Sequence, residues 1–149
     1  MALVPKAIEF SASQLAQQLL NVLIFESLSY RQLRKLSKWV EVLEYEEGET
    51  IVKRGEEGSG LYLILDGTAE VRRGSQRLAR LTVGQFFGEM SFFDNQARSA
   101  DVVAVLPSKL AVLSRWKFWR FADTEPSVLR NILREMARRL RQTDLTLPD

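Results

Sequence analysis

Between residues 40 and 114 the sequence consists of short β-type runs separated by glycines, and this pattern restricts the fold more than any other feature. Glycine supplies the backbone conformations that tight turns require, and each run between the glycines has the length of a strand. The predicted strands are residues 40–45, 50–53, 61–65, 68–72, 76–81, 101–106 and 109–114. Many short strands at regular spacing predict a mainly β domain, built as a sandwich or a barrel.

Helical periodicity flanks the predicted strands on both sides. Apolar residues at positions 15, 19, 22 and 23 predict an amphipathic helix over 14–25, and a second short helix follows over 29–36. After the last strand, residues 116–122 predict an aromatic-rich helix, and Pro126 precedes a long helix over 127–142. The apolar residues predicted on one side of that long helix are Val128, Leu129, Ile132, Leu133, Met136, Ala137 and Leu140.

The length of 149 residues fits one domain with a core of its own. We predict an N-terminal arm over 1–12, a single domain over 13–142 and a tail over 143–149. Within that domain, the predicted parts are helices within 13–38, a β-barrel over 40–114 and C-terminal helices over 115–142.

The composition argues against several classes of enzyme. The chain contains no cysteine and no histidine, so it lacks disulfides, a thiol nucleophile, the commonest metal ligand and the commonest general base. The first residues do not have the layout of a signal peptide, and no apolar run has the length needed to span a bilayer. We therefore predict a cytoplasmic protein that is not an enzyme, has no catalytic residues, binds no metal and does not enter a membrane.

Charge is unevenly distributed along the chain. Residues 41–70 carry nine acidic and two basic side chains, whereas the formal net charge of the whole chain is +2. The remainder is therefore basic, which favours contact with nucleic acid, but no helix-turn-helix pattern follows the predicted strands. We predict that this chain binds no nucleic acid.

Residues 86–100 combine apolar anchors with a glycine, a carboxylate and a guanidinium. Gly88 allows close backbone approach, and a short helical turn beginning at Glu89 would point free N–H groups at an anion. Arg98 offers a planar fork of donors that suits a phosphate, and Ser99 adds a hydroxyl and an N–H group. Because Glu89 would repel a phosphate, its carboxylate is better suited to accept hydrogen bonds from ligand hydroxyls, such as a ribose 2'-OH. The stretch therefore predicts a site for a sugar phosphate.

This stretch resembles the phosphate-binding cassette of the cyclic-nucleotide-binding domain, a family found in bacterial catabolite activators, protein kinase A regulatory subunits and cyclic-nucleotide-gated channels. The family pattern is met at Phe87, Gly88, Glu89, Met90, Ser91, Arg98, Ser99 and Ala100. The resemblance covers roughly residues 25–142. It implies an antiparallel β jelly-roll barrel, or double-stranded β-helix, with flanking N-terminal and C-terminal α-helices.

The resemblance also implies a role for each site residue. Glu89 would hold the ribose 2'-hydroxyl, and Arg98 would hold the cyclic phosphate. Backbone N–H groups would come from Gly88, Ser99 and Ala100, while Met90 and Ser91 complete the cassette. The purine would rest on apolar strand residues, for which Val71 is our candidate.

Ser59 departs from the pattern of protein kinase A regulatory subunits. Those proteins carry an aspartate at the matching position and pair it with the cassette arginine. Since a serine brings no charge, we expect it to orient Arg98 less firmly, which would weaken ligand binding without abolishing it.

The function that this resemblance implies is non-enzymatic binding of a 3',5'-cyclic nucleotide by a sensor or regulatory module. Cyclic AMP is favoured over cyclic GMP, and the nucleotide is a ligand rather than a cofactor. Occupancy would reposition the terminal helices, which makes them the candidate surface for a protein partner. The last helix would serve as a lid over the base or as a statically docked element, and either use is compatible with a homodimer contact.

Two other functions stay open at this point. The first is a protein-interaction module on the same barrel that works without nucleotide. The second is a cyclic AMP-dependent transcription regulator that has been truncated and lacks its DNA-binding domain.

Overall fold

The computed structural model describes residues 6–8, 11–19, 25, 28–57, 60–88 and 97–144. The β-strands are β1 (Lys6–Ile8), β2 (Glu41–Tyr45), β3 (Thr50–Val52), β4 (Gly60–Asp66), β5 (Ala69–Arg73), β6 (Gln76–Leu81), β7 (Phe86–Phe87), β8 (Asp101–Ala104) and β9 (Ser108–Ser114). The α-helices are α1 (Ala12–Leu19), α2 (Tyr30–Ser37), α3 (Arg115–Thr124) and α4 (Pro126–Asp144).

Two antiparallel sheets form the β region of the molecule. One has the strand order β1-β2-β9-β4-β7, and the other has the order β3-β8-β5-β6. Their facing sides share one apolar cluster, so the two sheets pack against each other as two layers. The buried members of this inner cluster are Tyr45, Val52, Ile64, Ala69, Phe87, Val102, Ala104 and Leu110. The predicted mainly β, antiparallel fold with flanking helices is confirmed.

Strand β4 is buried on both of its faces. Ile64 belongs to the inner cluster, whereas Leu61 and Leu63 belong to a second cluster formed with the helices. Because successive side chains of a strand point to opposite faces, a strand between two apolar layers must be apolar at nearly every position. This explains the continuous apolar run at residues 61–65.

The helices cover the outer face of the five-stranded sheet. Besides residues of β4 and β9, the buried members of this outer cluster include Leu33, Leu36, Phe118, Phe121, Ala122, Val128 and Ile132. Phe118 and Phe121 thus bring the aromatic-rich helix α3 into the core. Trp116 and Trp119 of the same helix are exposed instead.

Two strands were absent from the sequence prediction. β7 contains only Phe86 and Phe87, which is too short to produce an alternating pattern, and it pairs with β4. β1 lies within the segment predicted as an N-terminal arm and pairs antiparallel with β2, with Lys6 opposite Glu44. The helix predicted over 14–25 is α1, while residues 20–24 lie outside the described residues.

A polar connection joins α2 to the junction of α3 and α4. Lys35 Nζ donates to Glu125 Oε1 at 2.8 Å, and Gln32 Nε2 donates to Glu125 Oε2 at 3.3 Å. Gln32 Nε2 also donates to Ser127 Oγ at 2.9 Å, at the start of α4. The hydrogen bond from Lys35, followed by that from Gln32, lowers the pKa of the Glu125 carboxyl group. The N-terminal and C-terminal helices are thus linked directly to each other.

Helix α4 does not bury its whole apolar side. Val128 and Ile132 lie in the outer cluster, whereas Leu133 is 68% exposed and Leu140 is 63% exposed. Four arginines at positions 130, 134, 138 and 141 are exposed as well. The residues that the sequence placed on one side are therefore divided between a docked face and a face open to solvent.

Glu70 of β5 is a buried carboxylate, with only 4% of its surface accessible. Arg72 Nη2 lies 2.9 Å from its carboxylate, Arg77 Nε lies 3.2 Å from it and Arg80 Nη2 lies 3.6 Å from it. The hydrogen bond from Arg72 is the main cause that lowers the pKa of Glu70. The long arginine side chains cover a carboxylate that the strand alternation alone would leave exposed.

Candidate functional site

The structure describes Val71, Gly88, Arg98, Ser99 and Ala100 among the predicted site residues. Glu89, Met90 and Ser91 lie outside the described residues, as does Ser59.

Arg98 is a buried cation, with 8% of its surface exposed. Its Nη2 atom donates a hydrogen bond to the carbonyl oxygen of Gly60 at 2.7 Å. The backbone beside it is also fixed, because Arg98 N–H donates to the Glu56 carbonyl at 2.8 Å and Gly55 N–H donates to the Arg98 carbonyl at 2.9 Å. Removing a guanidinium from water is unfavourable unless polar groups satisfy it, so this position is set by specific contacts.

An aromatic pair lies beside the guanidinium. The Cζ atom of Arg98 is 5.7 Å from the ring centroid of Tyr62, within the range of a cation–π contact. The Tyr62 ring is stacked on Phe87, with a centroid separation of 4.9 Å and an interplanar angle of 3°. Burial is the main cause that raises the pKa of the Tyr62 hydroxyl above its usual value, and the Arg98 charge opposes that rise. The ring is therefore uncharged at neutral pH.

Gly88 is needed for both its conformation and its size. Its φ angle is +93°, in the left-handed region that favours glycine. A Cβ atom at this position would lie 2.5 Å from Arg98 Nη1 and 2.6 Å from the Gly60 carbonyl oxygen. The sequence predicted a close backbone approach at Gly88, and the structure places the Arg98 guanidinium and the Gly60 carbonyl at that approach.

Ser99 and Ala100 lead directly from Arg98 into β8. Ser99 is exposed, and its carbonyl accepts a hydrogen bond from Arg73 Nε at 3.3 Å. Ala100 is buried. The next residue, Asp101, begins β8 and accepts a hydrogen bond from the Arg54 N–H at 2.7 Å.

Val71 reaches this region through strand pairing. It lies opposite Val102 of β8, and its half-buried side chain packs against the inner cluster. β5 thus runs beside the strand that begins immediately after the cassette. The structure brings Gly88 and Arg98 into contact and places Val71 on the neighbouring strand.

Gly60 and Tyr62 both contact Arg98, and neither was predicted from the sequence as a site residue. Gly60 acts through its backbone carbonyl. Every residue has such a carbonyl, so the residue type does not reveal this contact. Tyr62 carries a weak signal, because it is the one hydroxyl-bearing side chain in the apolar run at 61–65.

Two further properties concern the described part of the chain: its capacity to hold a metal ion and its capacity to cross a membrane. Within it, no group of three or more aspartate, glutamate, histidine or cysteine side chains is arranged to hold a metal ion. None of its helices combines the length and apolar character that crossing a bilayer requires.

Comparison with known proteins gives a consistent result. Residues 42–125 match the family model described as the cyclic nucleotide-binding domain. The chain is 39% identical over 108 residues to a cyclic AMP receptor protein of Thermus thermophilus, an alignment that covers 69% of this chain and 50% of that protein. It is 38% identical over 90 residues to a cAMP-dependent protein kinase regulatory subunit of Mycosarcoma maydis, which covers 58% of this chain and 17% of that protein.

A solved structure agrees with these sequence matches. The N-terminal domain of a transcriptional regulator from Streptomyces coelicolor superimposes with a TM-score of 0.79 at 29% identity, covering 84% of this chain and 92% of the other. The alignments span at most half the length of the two relatives named above.

We predict that Gly88→Ala destabilises the protein more than Gly48→Ala. Both glycines have a positive φ, +93° at Gly88 and +88° at Gly48, but a Cβ atom at Gly48 would meet nothing within 4 Å. Gly48→Ala should therefore lower the free energy of unfolding by about 1–2 kcal/mol, through the strained backbone conformation alone. Gly88→Ala should cost roughly 1–3 kcal/mol more, because Arg98 or the Gly60 carbonyl has to move.

Urea unfolding of both variants and the wild type measures this difference. Equal losses in the free energy of unfolding would show that Arg98 is not held tightly against Gly88.

Proposed function

We propose, for a chain that belongs to the cyclic nucleotide-binding domain family, that it is a sensor of 3',5'-cyclic nucleotides and prefers cyclic AMP to cyclic GMP. The observation that carries this proposal is the buried Arg98, held by the Gly60 carbonyl next to a glycine that has no room for a side chain. A fixed guanidinium of this kind suits a single, well-placed phosphate. The preference for cyclic AMP is supported by the names of the two relatives, a cyclic AMP receptor protein and a cAMP-dependent kinase regulatory subunit.

In this proposal, the phosphate is bound by charge-assisted hydrogen bonds. Arg98 supplies the guanidinium, and backbone N–H groups of Gly88, Ser99 and Ala100 add donors. Each hydrogen bond to a charged group contributes about 1.5–3 kcal/mol. No bond of the ligand is made or broken, so the proposed activity is binding and not catalysis.

The sugar and the base are assigned to other residues. Glu89 accepts a hydrogen bond from the ribose 2'-hydroxyl, and Met90 and Ser91 follow it in the cassette. Val71 supports the purine. Its position on the strand next to β8 supports this assignment, because β8 begins directly after Ala100.

We expect Arg98→Lys to weaken the binding of cyclic AMP by about 1–3 kcal/mol, or about 5- to 150-fold. A lysine keeps the charge but loses the planar fork and the hydrogen bond to Gly60. The measurement is isothermal titration calorimetry with cyclic AMP and cyclic GMP in parallel. Arg130→Lys is the matched control, since Arg130 is an exposed arginine of α4 and its substitution should leave the affinity unchanged.

An unchanged affinity for cyclic AMP in Arg98→Lys would remove Arg98 as the phosphate ligand. A wild-type protein that binds neither nucleotide would overturn the proposed function itself.

We expect Glu89→Gln to weaken the binding of cyclic AMP more than that of 2'-deoxy cyclic AMP. The carboxylate can accept a hydrogen bond from the 2'-hydroxyl, and the deoxy analogue has no such group. Titration of both ligands into both proteins gives the comparison. Equal losses of affinity would argue that Glu89 does not contact the ribose.

We further propose that occupancy repositions the terminal helices. The support is the position of β4, whose first residue, Gly60, accepts the Arg98 hydrogen bond. The next residue, Leu61, packs in the cluster shared with the helices. The residue that binds Arg98 and the residue that packs in this cluster are adjacent in the chain. A shift of Arg98 on ligand binding would therefore be transmitted to the cluster. A ligand can move the helices only by the difference in its affinity for their two arrangements.

We expect the separation of α2 and α4 to change when cyclic AMP is added. The sequence has no cysteine, so Arg31→Cys with Arg141→Cys introduces a unique pair of sites for spin labels. Both arginines are exposed. A distance distribution from pulsed electron resonance that stays the same at saturating ligand would refute the movement while leaving binding intact.

The C-terminal helix is the proposed surface for a protein partner. Leu133 and Leu140 are exposed on α4, and Leu129 and Met136 are only partly buried. The spacing of these four residues alternates between four and three, which is the pattern of a coiled-coil seam. A second copy of this chain is the partner that such a seam fits.

A further inference from the structure

We propose that the aromatic ring of Tyr62 is a positioning element that holds the Arg98 guanidinium in the orientation in which it meets the ligand phosphate. This inference rests on the proposed function, because it concerns the same site. Tyr62 does not touch the ligand in this account. It acts through Arg98, and no cassette motif contains it.

The ring contacts both ends of the cassette. Tyr62 is the register partner of Phe87, and their rings are stacked with centroids 4.9 Å apart. Phe87 is the first residue of the cassette pattern and immediately precedes Gly88. At the other end, the Arg98 guanidinium carbon lies 5.7 Å from the Tyr62 centroid. One side chain of β4 therefore fixes the start of the cassette relative to its cation.

The ring and the Gly60 carbonyl form one packed unit around the guanidinium. The carbonyl accepts a hydrogen bond from Nη2 at 2.7 Å, which sets the direction of one donor. A Cβ atom on Gly60 would lie 3.3 Å from Tyr62 Cε2, so the ring packs closely against residue 60. A hydrogen bond and an aromatic contact together restrict the guanidinium more than either does alone.

An aromatic ring also suits the chemistry of an anion site. A carboxylate partner orients an arginine but offsets its positive charge, which weakens the attraction for a phosphate. The quadrupole of an uncharged ring attracts the cation and leaves its net charge unchanged. Tyr62 thus helps to orient the guanidinium without offsetting its charge.

The ring of Tyr62, and not its hydroxyl group, positions the guanidinium. Burial keeps the hydroxyl in its neutral form, as the raised pKa indicates. A phenylalanine would preserve the stacking on Phe87 and the face presented to Arg98. A leucine would preserve apolar bulk on β4 but remove the quadrupole.

The test compares Tyr62→Leu with the matched variant Tyr62→Phe. We expect Tyr62→Leu to weaken cyclic AMP binding by about 3- to 30-fold and Tyr62→Phe to stay within about 2-fold of the wild type. Calorimetry measures the affinities, and thermal unfolding of each free protein shows whether it is folded. A wild-type affinity in Tyr62→Leu would overturn the inference while leaving the proposed function in place.

A second measurement needs no ligand and distinguishes positioning from a general effect on packing. The heteronuclear NOE of the Arg98 Nε–Hε group reports its motion, and the resonance is assigned by its absence in Arg98→Lys. We expect a rigid group in the wild type and in Tyr62→Phe, and a mobile group in Tyr62→Leu. Equal rigidity in all three proteins would overturn the inference even if the wild type bound no nucleotide.

Gly60→Ala provides a second variant if Tyr62→Leu does not fold. Its added Cβ would lie 3.3 Å from the Tyr62 ring and press on it. The variant retains the backbone carbonyl that binds Arg98. We expect lower affinity and greater motion at Arg98 Nε. An affinity and a motion equal to those of the wild type would overturn the inference by this route.

Discussion

The site depends on one buried guanidinium. Arg98 lies where the chain enters β8, and the contacts that hold it come from β4 and the start of the cassette. Burial strengthens its electrostatic interactions, because the surrounding medium screens charge less than water does. Burial also makes a misplaced guanidinium costly. Gly88, Gly60 and Tyr62 all lie against this one group.

Strand β4 connects the site to the helical layer. Tyr62 and Ile64 lie on its inner face with the site and the inner cluster, and Leu61 and Leu63 lie on its outer face with the helices. Within the helical layer, the hydrogen bond from Lys35 to Glu125 links α2 to the junction of α3 and α4. A single strand thus has one face in each of the two parts of the molecule that a sensor has to couple. In the proposed coupling of ligand binding to helix movement, this strand is the physical route.

Much of the fold was predictable because its signals are local. Glycines set the turns, and the runs between them match seven observed strands with ends that differ by at most two residues. β7 was not predictable, since two residues cannot show a period. The covered carboxylate of Glu70 was not predictable either, because its neighbours Arg77 and Arg80 arrive from another strand. The sequence predicts Val128 and Leu133 on the same apolar side of the last helix, but only Val128 is buried in the outer cluster.

The sequence by itself determined the types of residue at the site: a glycine, a carboxylate, a guanidinium and small residues in an order that indicates a sugar phosphate. It determined these because ligand chemistry is a property of side chains and of their spacing in one segment. Only the tertiary structure decided what holds Arg98, since Gly60 is 38 residues away and Tyr62 reaches the cassette through the pairing of β4 with β7. The physical reason is that strand register and burial arise from distant segments packing together, and a local pattern cannot encode them.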